Sequence, residues 1–218
     1  MTLSIIIPAL NEASALPATL AALPDHCEVI LVDGGSTDGT GQLAERLGAC
    51  VITSPPGRAR QMNAGAAIAQ GEHLLFLHAD TLLPDQAPLL IANALQHRCW
   101  GRFDVRLIGQ HPMLAVIARL MNLRSRLSGI ATGDQAMFMR KNTFMAVGGF
   151  PEQPLMEDIA LSKRLGQLGP PACLRQRVCT SGRRWEQHGV WRTIWLMWRL
   201  RFAYWRGADP ARLAEQYR

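Results

Sequence analysis

The stretch EVILVDGGSTDGTGQLAERLGACVITS, residues 28–54, contains one complete strand–helix–strand unit. EVILVD is a short apolar run of strand length, rich in β-branched residues. GGSTDG supplies turn residues and several side chains of the helix-capping type. TGQLAERLG (40–48) reads as a helix closed by Gly48, since glycine accepts the left-handed backbone that ends helices. CVITS (50–54) then reads as a second short strand.

The same rhythm extends to both sides. SIIIP (4–8) reads as a strand and EASALPATLAAL (12–23) as a helix, while GRARQMNAGAAIAQG (57–71) is a helix ended by Gly71. HLLFLHAD (73–80) reads as a buried strand running into a short acidic tip, and 84–97 as a helix. Further along, strands are expected at 100–108 and 133–140, and helices at 113–127 and 155–169. Strands alternating with helices of this length predict an α/β fold with a mainly parallel, Rossmann-like sheet, flanking helices and right-handed connections. The expected organisation is one α/β domain over residues 1–180, followed by a C-terminal segment of amphipathic helices over 181–218.

Composition narrows the class. A chain of 218 residues, 48% hydrophobic and 18% charged, is enough for one sizeable core. No apolar run approaches the ~20 residues that span a bilayer. MTLSIIIPALNEA lacks the basic start and small-residue cleavage site of a secretory leader. Five cysteines scattered singly fit reduced thiols in a cytoplasmic protein better than disulfides or a zinc site. The charge is uneven: residues 175–218 hold ten arginines against three acidic residues, net +7, so residues 1–174 sum to −1. Five of the six tryptophans lie in that tail. A basic, aromatic segment suits an anionic partner.

In open parallel sheets, ligands bind outside the carboxyl ends of the strands. Here those ends carry Pro8-Ala9-Leu10-Asn11-Glu12, Asp33-Gly34-Gly35-Ser36 and His78-Ala79-Asp80. One such acid is ordinarily a helix cap or turn residue; three polar strand ends together read as a site. It is not a dinucleotide site: no GxGxxG follows the first strand, and GGSTDG has the wrong spacing. Nor is there a Walker lysine motif, and the chain has only Lys141 and Lys163.

SIIIPALNEA, EVILVDGGSTDGT, GRARQMNAGAAIAQGEHLLFLHADT, GDQAMFMRKNTFMAVGGF and MEDIAL, in this order and spacing, resemble glycosyltransferase family 2 and its GT-A fold over about residues 1–170. The tail from Ser181 is similar to that of the small subfamily of selenosugar synthases and arsenosugar-associated transferases. This resemblance implies an inverting transferase. Its donor would be a UDP-sugar, with UDP-N-acetylglucosamine the first candidate, and its favoured acceptor the anion selenophosphate. No nucleic acid partner is expected. Pro8, Leu10, Glu12, Asp33, Arg58 and Ala79 would bind the nucleotide, with Asp33 on the uracil ring. Asp80 would hold Mg²⁺ or Mn²⁺ on the diphosphate. Asp158, alone or with Glu157, would stand where inverting members keep the general base. Gly133, Asp134 and Gln135 would face sugar or acceptor. Ser181-Gly182-Arg183-Arg184-Trp185 is similar to QxxRW, with Ser for Gln, which implies acceptor binding by Arg183 and Trp185 and a catalytic role for Arg184.

The residues themselves agree in part. Charge develops on the departing diphosphate during glycosyl transfer, and a cation and arginines are its expected stabilisers. HAD stands where related enzymes carry DxD, so one carboxylate remains; Mg²⁺ can take one or two carboxylates and complete its shell with phosphates and water. On a strand, His78 and Asp80 would share a face, making His78 a second candidate ligand for Mn²⁺, although a hydrogen bond is its more usual role. The pair Glu157-Asp158 sits in a first helical turn, where acids also simply complement the dipole.

The tail contains Trp191, Trp195, Trp198, Phe202 and Trp205 at spacings 4, 3, 4, 3, a single stripe on a helix, edged by Arg192, Arg199 and Arg206. Leu196, Leu200 and Tyr204 form an opposite apolar face. One face is expected to pack on the body. The other awaits a membrane surface, a second subunit or an acceptor. The alternatives are therefore a peripheral transferase at the inner membrane face using a polyprenyl phosphate, and a sugar-nucleotide-binding protein without catalysis.

Overall fold

The computed structural model describes residues 2–217. The chain runs β1 (Leu3–Ala9), α1 (Leu16–Ala21), β2 (Glu28–Asp33), α2 (Thr40–Arg46), β3 (Cys50–Thr53), α3 (Arg58–Ile68), β4 (His73–Phe76), β5 (Thr81–Leu82) and α4 (Ala87–His97). It continues through β6 (Trp100–Ile108), α5 (Met113–Ser128), a 3-10 turn (Gly133–Gln135), β7 (Phe138–Arg140), α6 (Lys141–Ala146), α7 (Glu157–Gly166), β8 (Ala172–Ser181), α8 (Arg183–His188), α9 (Val190–Trp205) and α10 (Pro210–Tyr217).

The strands form one sheet in the order β3-β2-β1-β4-β7-β6-β8-β5. β3, β2, β1 and β4 are mutually parallel. β7 is antiparallel to both β4 and β6, so β6 and its parallel neighbour β8 regain the first direction. β1 shows why the sheet is filled on both sides: Ile5 and Ile7 enter one core cluster while Ile6 enters the other, the two-residue alternation of a strand buried on both faces. α3 lies very close to the sheet at Gly65, where an added Cβ would sit 2.6 Å from Ile6 Cγ2.

This topology gathers the site. The carboxyl ends of β1, β2, β4, β6 and β8 share one edge of the sheet, and because β7 runs the other way, the turn preceding it joins them.

Two expectations are corrected, and one strand is added. The run 73–80 is strand only to Phe76; Leu77–Asp80 leave the ladder and lead into β5. Gly133–Gln135 form a 3-10 turn, closed by a capping box from Thr132 and Gln135, and the strand starts only at Phe138. Ala172–Ser181 form an unexpected strand, paired in parallel with β6 through a bulge at Phe103/Asp104.

Candidate active site

The turn after β2 is locked to the turn after β1. Asp33 Oδ1 accepts from the Ser36 amide (2.9 Å) and hydroxyl (2.5 Å). The Asn11 amide donates to Ser36 Oγ, and the Thr37 amide to Asn11 Oδ1, both at 2.9 Å. The Glu12 amide donates to Thr40 Oγ1. Beneath them, buried Gln61 of α3 donates at 2.8 Å to both the Ala9 and Val32 carbonyls, tying the ends of β1 and β2 together. Pro8, Leu10, Glu12, Asp33 and Arg58 are therefore placed at or just beyond the ends of β1 and β2 and at the start of α3.

Arg183, first residue of α8, reaches back across the edge. Its Nη2 donates to both carboxylate oxygens of Glu12, at 2.5 and 2.8 Å, and lies 3.5 Å from Asp80 Oδ2. The hydrogen bond to Glu12 leads in raising the Arg183 pKa, so the group stays cationic. Asp80 Oδ1 also faces the Thr180 hydroxyl at 3.4 Å.

A second group lies beside Arg58. Glu157 is buried, with Oε1 3.9 Å from Arg58 Nη1. Asp158 accepts from the Gly133 amide (2.9 Å) and the Ile159 amide (2.7 Å). Asp134 Oδ1 lies 3.4 Å from His78 Nδ1. These groups meet at a small cleft bordered by Phe76, His78, Gly133 and Phe150. His78 Nε2, enclosed there, has no hydrogen-bond partner among the described residues, and an added Cβ at Gly133 would sit 2.5 Å from it. Gly133 is thus what lets the imidazole lie against the turn.

Burial raises the pKa of both Glu157 and Asp158, and for Glu157 the charge of Asp158 adds to it. At Asp134, desolvation is outweighed by the hydrogen bond and charge of His78 and the pull of Arg58 and Arg124, so its pKa is lowered. Neighbouring carboxylates are thereby pushed apart in acidity, an arrangement typical of acid–base sites.

The backbone here is strained. Asn11, Ala136 and Met156 have positive φ, at 56°, 46° and 64°. Asparagine tolerates this conformation, whereas alanine and methionine pay roughly 1–2 kcal/mol each. Met156 immediately precedes Glu157-Asp158, and its turn aims the pair inward.

Some candidates lie elsewhere. Arg184 donates to the Tyr217 carbonyl at 2.8 Å and stacks 3.6 Å from the centroid of its ring. Trp185 packs against the main core, and Gln135 is fully buried with its amide closing the 3-10 turn. His78 and Asp80 do not share a face: leaving the strand at Phe76 sends His78 to Asp134 and Asp80 to Arg183. Gln61, Arg124 and Tyr217 join the site without having stood out in the sequence. Arg124 of α5 feels the charges of Asp134 and Asp158, while its enclosed Nε and Nη2 find no partner among the described residues. Only an arginine interrupting the inner side of an amphipathic helix would have marked it.

A divalent cation fits this donor set only in part. The described residues contain no group of three or more His, Cys, Asp or Glu able to enclose one. Asp80 supplies one carboxylate, already 3.5 Å from the cationic Arg183, so a cation there would need the phosphates of a bound diphosphate as its further ligands.

Known proteins share the sequence pattern and the fold of this chain. An uncharacterized glycosyltransferase of Mycobacterium tuberculosis is 38% identical over 92 residues, 41% of this chain and 42% of that protein's length, so the match spans less than half of the relative. Staphylococcus aureus TarS 1–349 in complex with UDP-GlcNAc superposes with a TM-score of 0.64 at 18% identity, covering 83% of this chain and 58% of that one. The mannosyltransferase PcManGT of Pyrobaculum calidifontis, in complex with GDP-Man and Mn²⁺, gives 0.61 at 20% identity, covering 81% and 56%. These structures share the fold of this chain. The family model "Glycosyl transferase family 2" matches residues 4–144, which takes in β1 to β7 and the strand ends that carry Glu12, Asp33 and Asp80. The chain belongs to glycosyltransferase family 2.

Proposed function

We propose that this protein transfers a sugar from a UDP-linked donor to an anionic, phosphate-bearing acceptor, with inversion at the anomeric carbon. The observation that carries this reading is the pairing of two charge groups on one sheet edge: Glu12, Arg183 and Asp80 on one side, Glu157, Asp158, Asp134 and His78 on the other, with Arg58 between. A donor diphosphate placed over Asp80 meets Arg183, which stabilises charge on the leaving group. A divalent cation, when bound with the diphosphate, would be held by Asp80 and would share that charge. The Asp33 carboxylate, fixed by Ser36, suits the imide edge of uracil. The TarS complex with UDP-GlcNAc supports a UDP-sugar donor, and the PcManGT complex with Mn²⁺ supports a cation. Asp158 is the candidate base, and Gly133 and Asp134 border the space in which an acceptor would lie. Arg124, with unpaired guanidinium N–H groups, suits an acceptor's anionic end.

Within that class, selenophosphate is the acceptor implied by the tail motif alone. An anionic selenium nucleophile needs little deprotonation, so Asp158 would then position more than deprotonate. A lipid phosphate is the second reading, favoured by the exposed aromatic stripe on α9.

The test is to incubate the protein with UDP-N-acetylglucosamine and other UDP-sugars, with selenophosphate or a polyprenyl phosphate, and with Mg²⁺, Mn²⁺ or chelator. UDP release and product mass are then read. Release that needs selenophosphate supports the first acceptor, and release that needs the lipid supports the second. No acceptor-dependent release with any UDP-sugar overturns the proposal.

A further inference from the structure

Two helices, not one, leave an apolar stripe uncovered. On α9, Trp191, Trp195, Trp198, Phe202 and Trp205 are each 60–75% exposed, while Thr193 and Leu200 on the other side are buried. On α5, Val116, Leu120, Leu123 and Leu127 are 41–79% exposed, at spacings 4, 3, 4, while Leu114, Ile117, Ala118 and Ser125 are buried. Single exposed apolar residues need no explanation, but two helix-long stripes do.

The stripes belong to neighbouring parts of the fold. Leu114 and Ile117 of α5 share one core cluster with Val190 and Ile194 of α9. Ile130, just past α5, shares the smaller cluster beneath Leu196, Leu200 and Ala203 of α9.

Charge identifies what covers them. Arg119 of α5, Arg192 and Arg199 of α9 and Arg206 just past α9 are exposed, and neither helix contains an acidic residue. Arg199 lies 5.0 Å from the Trp195 ring centroid and Arg206 6.0 Å from that of Phe202, so guanidinium groups run along the aromatic edge. A second copy meeting this face about a two-fold axis would bring arginine against arginine with no acid to answer it. An anionic bilayer neutralises them, and tryptophan beside arginine is the residue pair that settles at the headgroup level. None of the helices among the described residues is long and apolar enough to cross a membrane. An amphipathic helix with a cationic rim lies in the interface plane instead.

We propose that α5 and α9 form a docking face for an anionic lipid bilayer, with the tryptophan and leucine stripes entering the headgroup region and Arg192, Arg199 and Arg206 binding lipid phosphates. This inference does not depend on the acceptor or on catalysis. It would, however, place α8 and the Glu12–Arg183–Asp80 contact close to the membrane, since Arg183 begins the helix that leads into α9.

The experiment uses the full chain without any substrate, so it is blind to whether the transferase reading holds. Sedimentation with vesicles of phosphatidylcholine, alone or mixed with phosphatidylglycerol, is combined with the tryptophan emission maximum. Binding confined to the anionic vesicles, with a blue shift, is expected. Arg192→Gln, Arg199→Gln and Arg206→Gln together should weaken it roughly a hundredfold, about fivefold for each arginine near the surface. Trp195→Ser with Trp198→Ser, and separately Leu123→Ser with Leu127→Ser, should each weaken it about tenfold or more. Thermal melting confirms that each variant is folded. No binding by the folded parent chain overturns the proposal, as does binding unaffected by all three variants. A stable dimer in light scattering that the tryptophan variant converts to monomer would assign the face to a second copy and overturn it too.

Discussion

At the scale of single residues, the site rests on a carboxylate that is costly to keep ionised. Burial raises the pKa of Asp158 and of its neighbour Glu157, so the folded protein holds protons there more tightly than the unfolded chain does. Stability therefore falls as pH rises from the ordinary carboxylate pKa through the raised value, and the cost is fully present above it. Asp158→Asn removes a charge from this pair but sets an NH2 donor against one of the two backbone amides that Asp158 accepts, so relief of charge and loss of a hydrogen bond oppose each other and its melting temperature should stay within a few degrees of the parent's at neutral pH. If Asp158 is the base for an oxygen acceptor, the same variant should lose two to four orders of magnitude in kcat; a loss under tenfold would mean that the acceptor arrives already ionised. The acid limb of the parent's pH–rate profile should report an apparent pKa above the usual carboxylate range, shared by the pair. Gly133→Ala tests geometry rather than charge. Its Cβ would meet His78 Nε2 at 2.5 Å, displacing the imidazole and the turn that supplies the Asp158 hydrogen bond. Activity should drop roughly a hundredfold for a shift of about 1 Å, with the fold intact by circular dichroism.

At the scale of elements, the parallel half of the fold was legible because its signals are local. EVILVD, the turn after it and Gly48 lie next to one another in the chain, and the strand end they predict is the one that carries Asp33. What escaped depends on distant partners. Ala172–Ser181 contains Arg175 and Arg177 and has no clean alternation, and it is a strand because β6 offers it a parallel ladder. Leu77 continues an apolar run, yet β4 pairs with β1 only as far as Phe76 and with β7 only over His73–Leu75. The site was legible to the same degree: its acids announced themselves at strand ends, whereas Arg124 and Gln61 are defined only by what α5 and α3 face. The joint between α5 and β6 shows what such hidden polar groups hold. Asp104 of β6 accepts from fully buried Arg102 and, at 2.7 Å, from Arg126 of α5. Asp104→Ala leaves Arg102 charged and unpaired in the core. The expected loss is about 3–5 kcal/mol, measured by urea unfolding, while Arg126→Ala, which removes the more exposed partner, should cost clearly less.

At the scale of the whole molecule, the C-terminal helices return to the opening of the chain and close over its edge. Arg183 reaches Glu12 across 171 positions of sequence, and the next residue, Arg184, reaches Tyr217 at the end of α10. Tyr217 is held by more than this stack. It belongs to the small cluster with Met156 and Ile159, directly around the turn that aims Glu157-Asp158. Burial raises its pKa, and it feels the charges of Arg184, Arg58, Asp134 and Asp158. The last turn of α10 is therefore placed beside the acidic group, and Arg184 acts through it. We propose on this contact that Arg184 is a positioning residue that fastens α10 at the cleft. The two halves of that contact can be separated. Tyr217→Phe keeps the ring under the guanidinium and the backbone carbonyl that accepts its hydrogen bond, so it should behave like the parent. Tyr217→Ala loses the stack, worth about 0.5–2 kcal/mol, and releases the end of α10. KM should then rise by roughly two- to thirtyfold with kcat changed much less, because the acids and Arg183 are untouched while the wall beside them loosens. Equal activity in all three proteins would show that α10 merely covers the body. A fall in kcat in Tyr217→Phe, with its ring still in place, would instead assign the phenol hydroxyl itself to the chemistry.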